Sequence, residues 1–176
     1  IQLHLDRHHP AYAAHHQKIV IVDDSVAFVG GMDLTVERWD TSDHAPDNDL
    51  RLTPDGKRYD PVHDVQMVVD GPVVGHLCGV ARARWRDATG EALPTGSALD
   101  RWPDPLQPDF MNATVAVSRT QPAYHGQPAV EESAHLYESL LRAARTTVYI
   151  EAQYFTGRRL RGLLKDMLER PNGPKI

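Results

Sequence analysis

The stretch His15-His16-Gln17-Lys18-Ile19-Val20-Ile21-Val22-Asp23, followed by Gly30-Gly31, decides how this 176-residue chain is read. Lys18 to Val22 is apolar and β-branched, the composition of a buried strand. Side chains alternate between the faces of a strand, so His16 and Lys18 project from the same side. An imidazole beside an ammonium suits an anionic substrate, the first as nucleophile or acid and the second as charge clamp. Asp23-Asp24-Ser25 reads as a turn, because short polar side chains bond their own backbone there. Val26 to Val29 reads as a second strand. At Gly30-Gly31 the missing side chains let backbone amides come close to a ligand.

Working outward, the composition sets limits. Hydrophobic residues at 41% and charged residues at 24% are the proportions of a soluble globular protein. A net charge of −5 gives no overall pull toward nucleic acid, so no nucleic-acid partner is expected, although a local basic pocket is compatible with it. Cys78 is the only cysteine, which excludes an intrachain disulfide. No apolar run approaches the roughly 18 residues of a membrane span. The chain starts without methionine or a signal-peptide pattern and stops at Pro174-Lys175-Ile176, so it is expected to be an excised piece of a longer protein. The compartment stays open between a soluble or membrane-peripheral protein and a secreted one.

In chain order, Ile1 to Leu5 alternates and is expected as a strand. His8, His9 and His15 fall in a polar loop; without a CxxC pair or an HExxH helix beside them, no metal site is expected. Asp40 to Asp49 carries four aspartates and His44 but no calcium-loop spacing, and reads as a solvated loop. In Asp64-Val65-Gln66-Met67-Val68-Val69-Asp70, Val65, Met67 and Val69 share one face of a strand while Asp64 and Gln66 share the other. Pro72 suits the first position of a helix, and Val74, Leu77, Cys78, Ala81 and Trp85 then recur at helical spacing. Arg86 to Pro108 reads as a long connection. Beyond it come a strand at Ala113 to Val117 and a helix over Val130 to Arg145. The helix carries Ala134, Leu136, Tyr137, Leu140, Leu141 and Ala144 largely on one side. Thr147 to Ile150 reads as a strand ending in Glu151-Ala152-Gln153-Tyr154-Phe155, and Arg159 to Glu169 as a last helix. Alternating strands and helices argue for an α/β fold.

The HxKxxxxD spacing of His16, Lys18 and Asp23, with Gly30-Gly31 six residues on, resembles the signature of the phospholipase D superfamily. Gly30-Gly31-Met32-Asp33 followed by Arg38-Trp39-Asp40 is similar to its larger, eukaryotic-type members. Many relatives carry asparagine where Asp33 stands; an ionised carboxylate cannot donate to phosphate, so Asp33 is expected to hold the loop. The segment His63-Asp64, a strand, then Gly71-Pro72 and a helix also resembles the family. That likeness implies that Asp64 accepts a hydrogen bond from the catalytic histidine. Ile150-Glu151-Ala152-Gln153-Tyr154-Phe155 resembles the entry to a second repeat, with Ala152 in place of asparagine.

The resemblance implies an α/β/α sandwich with a mixed sheet, comprising parts of two repeats. Residues 1–107 would be the C-terminal part of the first, with the catalytic motif, and 108–176 the start of the second. It implies His16, Lys18, Asp23 and Asp64 as catalytic residues, and Gly30, Gly31, Glu151 and Gln153 as substrate-binding ones. No metal or other cofactor is implied. One histidine attacks phosphorus to form a phosphohistidine, and a second, from a motif outside this chain, protonates the departing alcohol. The implied partner is a phospholipid such as phosphatidylcholine at a membrane surface, split to phosphatidate and head group. Open alternatives are a nuclease or a cardiolipin-synthase-like phosphatidyltransferase of the same superfamily, and a phosphate-binding module without catalysis.

Overall fold

The computed structural model describes residues 1–97 and 102–176, which divide into two compact units, Ile1–Val117 and Ser118–Ile176. Each is mixed α and β. No helix among the described residues is long and apolar enough to cross a membrane.

The first unit is built on the quoted stretch. Strand β1 (Lys18–Val22) turns into β2 (Val26–Gly30), and β2 pairs with β3 (Gln66–Asp70), giving a three-stranded sheet in the order β1-β2-β3. Both pairings are antiparallel, with Lys18 opposite Gly30 and Gly30 opposite Gln66. The β1–β2 turn places Asp23 and Asp24 at φ 51° and 52°. Aspartate tolerates that left-handed region because its short side chain bonds locally.

Helix α1 (Pro72–Thr89) starts at Gly71, whose φ of 72° would strain any other residue, and Pro72 fills its first turn. Its stripe of Val74, Leu77 and Cys78 is buried with Ala27 against Ile19, Ile21, Val29 and Val69, and Val117 packs there too. The pleat explains the set: Ile19, Ile21, Ala27, Val29 and Val69 lie on one face, in register across the three strands. α1 runs through Thr89, so the expected connection from Arg86 begins four residues later; residues 98–101 of that connection lie outside the described residues.

In the second unit, short strands β4 (Thr120–Gln121) and β5 (Val130–Glu131) pair antiparallel and lead into α2 (Glu132–Ala143). Helix α3 (Arg158–Leu168) follows, and Leu141, Leu164 and Met167 form the core between the two helices.

Several strand expectations fail for one reason. Ile1 to Leu5 and Ala113 to Val117 have strand composition but no regular structure, because no neighbouring strand takes their backbone hydrogen bonds. Thr147 to Ile150 fares slightly better. Thr147 makes an isolated parallel bridge with Lys175, through Val148 N–H to Lys175 O at 2.7 Å and Lys175 N–H to Thr146 O at 2.9 Å. The named strands pair only antiparallel, so the expected mixed sheet is not formed among the described residues. On α2 only Leu141 is buried, while Leu136, Tyr137 and Leu140 are exposed.

Candidate active site

His16 and Lys18 stand where the irregular N-terminal segment enters β1. The Lys18 ammonium lies 3.0 Å from Asp33 Oδ1 and also donates to the His16 carbonyl at 3.1 Å. Its side chain is 11% exposed, while His16 is open to solvent. Arg38 approaches the other Asp33 oxygen at 3.8 Å. The Lys18 hydrogen bond holds the Asp33 carboxyl below the usual range against partial desolvation; the charges of Lys18, Arg38 and His16 help. Three cationic or ionisable groups therefore gather around one carboxylate, and a phosphate is the kind of anion that could take its place.

The glycine pair has a defined structural use. A side chain on Gly30 would run into the β3 backbone, at Val65 O and at Gln66 Cα, 2.6 Å away. One on Gly31 would run into the Asp64 carboxylate. The Gly31 amide donates to Val65 O at 3.0 Å. The close approach these glycines allow is thus to the protein's own chain, and the Gly31 amide is already engaged.

Asp64 is exposed, just before β3, and accepts the Val65 amide at 2.7 Å. Among the described residues no hydrogen bond joins it to His16, so the expected contact is not made; its carboxylate rests on Gly31 instead. Asp23 is exposed at the far end of β1. The five-residue strand sets Asp23 roughly 16 Å along the backbone from Lys18, at the opposite end of β1.

Its neighbour Asp24 is the anchored acid of that turn. It binds Arg82 of α1 at 2.5 Å and the Gly96 amide at 2.6 Å, and accepts the Cys78 thiol at 3.3 Å. The Arg82 hydrogen bond, helped by Gly96, lowers the Asp24 carboxyl, whereas burial and the Asp24 charge push the Cys78 thiol up.

The loop after the glycines hides a second cluster. Arg51, 1% exposed, pairs with Asp40 at 2.8 Å and donates to the carbonyls of Ala45 at 2.5 Å and Pro46 at 2.7 Å. Asp40 also accepts from the Val62 and Thr41 amides and bonds His44 at 3.1 Å. Burial works to raise its carboxyl, but Arg51, His44 and the two amides outweigh that and hold it far below the usual range. His44 in turn meets His63 edge-on, with ring nitrogens 3.4 Å apart. So the expected solvated loop is tied shut at its base. Sequence gave no signal for this pair, because the partners sit eleven residues apart in irregular chain.

Glu151 and Gln153 belong to the second unit and are exposed. Glu151 accepts from the Tyr149 hydroxyl at 3.2 Å, and that hydrogen bond, helped by the Glu151 charge, raises the Tyr149 phenol. Glu151 also lines an apolar cavity of about 510 Å³ between α2, α3 and residues 147–157.

The sequence is similar to those of phospholipases D. It shares 48% identity with human phospholipase D1 over 36% of the chain, and 29% with papaya phospholipase D alpha 1 over 81%. With Arabidopsis thaliana phospholipase D gamma 3 it shares 28% over 81%. The chain spans 5% of the human protein's length and about a quarter of the plant proteins', 24% and 23%. No family model matches the chain, and no solved structure matches it significantly. The resemblance read from the histidine–lysine stretch is thereby borne out.

Proposed function

We propose that this chain, similar in sequence to phospholipases D, supplies one half of a phosphodiester-cleaving site acting on phospholipids. The observation that carries the reading is the pairing of Lys18 with Asp33 beside an exposed His16. It forms a cationic mouth at the start of β1, satisfied by an internal carboxylate.

In this reading a phosphodiester displaces Asp33 from Lys18. The ammonium then faces the non-bridging oxygens and stabilises the charge that builds there in the transition state. A neutral His16 nitrogen attacks phosphorus, the bond from phosphorus to the leaving oxygen breaks, and an acid from a second motif outside this chain protonates that oxygen. Water, deprotonated by the same group, then attacks phosphorus and releases His16; an alcohol in its place gives transfer. The likeness to phospholipases D favours phosphatidylcholine, giving phosphatidate and the free head group.

Asp64 acts through the frame: its grip on Val65 and contact with Gly31 fix the glycine pair to the foot of β3. Asp23 belongs to the turn. The proposal also keeps the sandwich of two repeats, with Glu151 and Gln153 as substrate-binding residues of the second.

The test is an assay of the complete enzyme on labelled phosphatidylcholine, with and without added alcohol and beside DNA. His16→Ala abolishes turnover and chelators leave it nearly unchanged. Activity retained by the variant, complete loss on chelation, or cleavage of DNA alone would overturn the reading.

A further inference from the structure

His16 lies outside regular structure, yet both of its neighbours are tied down. His15 Nε2 is 3.0 Å from Asp6 Oδ2. The Gln17 side-chain oxygen accepts from Arg84 Nη1 at 3.5 Å, a long hydrogen bond. Arg84 Nε reaches the same Asp6 oxygen at 3.4 Å, so both tethers converge on one ion pair carried by α1. The other Asp6 oxygen takes the His8 amide at 2.9 Å and faces its ring nitrogen at 3.3 Å. The Asp6 side chain is only 13% exposed. Burial pushes its carboxyl up, but the His8 amide, His15, the His8 ring and Arg84 together bring it below the usual value. The His9 ring meets His15 edge-on, at 5.4 Å between centroids.

With His15 and Gln17 drawn to Asp6 and Arg84, His16 between them stays open to solvent, and its charge bears on Asp33, the partner of Lys18. We propose that Asp6, directly at His15 and by way of Arg84 at Gln17, is the positioning residue of His16, fixing the direction in which the imidazole is presented. The backbone does not fix that direction by itself. The β1 ladder begins only at Lys18, and among the described residues the one backbone turn bond of 13–17 is Ala13 N–H to Pro10 O at 3.1 Å. A displacement of about 1 Å at a reacting group can cost on the order of 10²-fold in rate. The catalytic meaning of this clamp rests on the function proposed above; its geometry does not.

Amide nitrogen relaxation of the 176-residue chain tests the geometry directly. In Asp6→Asn the order parameters of residues 13–17 fall below about 0.6 while those of β1 to β3 stay near about 0.85, and Asp6→Glu restores most of the order. Arg84→Gln, which leaves the Asp6–His15 contact, gives an intermediate effect and serves if Asp6→Asn folds poorly. Unchanged order at 13–17 in both Asp6→Asn and Arg84→Gln, or an equal fall throughout the sheet, overturns the proposal. In the complete enzyme, Asp6→Asn lowers kcat for labelled phosphatidylcholine at least tenfold with KM within twofold, and Asp6→Glu recovers most of it. A rise in KM alone, or no change in kcat, also overturns it. If the wild-type enzyme cleaves no phosphodiester, the functional reading fails while the relaxation result still decides the clamp.

Discussion

The ammonium of Lys18 is held 3.0 Å from the carboxylate of Asp33, so the cation best placed to meet a phosphate already carries an internal counter-ion. Asp33 stands just behind the glycine pair and is 43% exposed, which leaves it free to swing out. Removing it exposes the clamp. Asp33→Asn is expected to tighten binding of inorganic phosphate to the chain about two- to fivefold at neutral pH, the scale of an exposed ion pair. Phosphorus NMR titration checks it; weaker binding would show that Asp33 orients Lys18 rather than competing for it.

The two glycines are expected to differ when filled. Gly30→Ala drives a methyl into β3 backbone, which cannot turn aside, and overpacking of this kind costs about 1–3 kcal/mol. Gly31→Ala meets the Asp64 side chain first, which can rotate, so it destabilises less, and Asp64→Gly in the same chain relieves it. Urea unfolding of the three variants measures the order; equal losses for Gly30→Ala and Gly31→Ala would refute it.

Asp24 makes the turn sensitive to acid. Its carboxyl is lowered in the folded state, chiefly by the Arg82 hydrogen bond, so its contribution is complete above the unfolded value near pH 4 and fades as pH falls through the folded value below that. Asp24→Asn should therefore flatten the acid limb of the stability curve below about pH 4 and lower stability at pH 7. A curve of unchanged shape would count against the Arg82–Asp24 anchor.

Cys78 is buried, and its thiol is pushed up by desolvation and by Asp24. Since the thiolate is the reactive form, labelling by a disulfide reagent at about pH 8 should be at least tenfold slower in the folded chain than in urea. Comparable rates would mean that α1 opens readily from the sheet.

Leu77, 3% exposed between α1 and the sheet, is expected to cost about 2–5 kcal/mol as Leu77→Ala. Leu136, 45% exposed on α2, should stay within about 0.5 kcal/mol of wild type as Leu136→Asn apart from helix propensity. Denaturant midpoints settle both, and a large loss at Leu136 would mean that its face of α2 is covered in solution.

Local pattern alone determined a good deal. The strand period in Lys18 to Val22, Val26 to Val29 and Gln66 to Asp70 located β1, β2 and β3, and helical spacing after Pro72 located α1 together with its buried stripe. The same spacing placed α2 and α3 to within about two residues. Histidine and lysine two apart beside a strand led to the expectation that both face one way, although the β1 ladder itself begins only at Lys18. Tertiary structure decided the rest. Whether Ile1 to Leu5 or Ala113 to Val117 becomes a strand depends on a neighbour to accept its hydrogen bonds, which no local composition encodes. The pairings of Lys18 with Asp33, Asp24 with Arg82, Arg51 with Asp40, and Asp6 with both His15 and Arg84 join residues that only the folded backbone brings within a few ångströms. Sequence spacing fixes direction along a strand or helix, but charge pairing depends on distance through space, and in irregular chain the two are set independently.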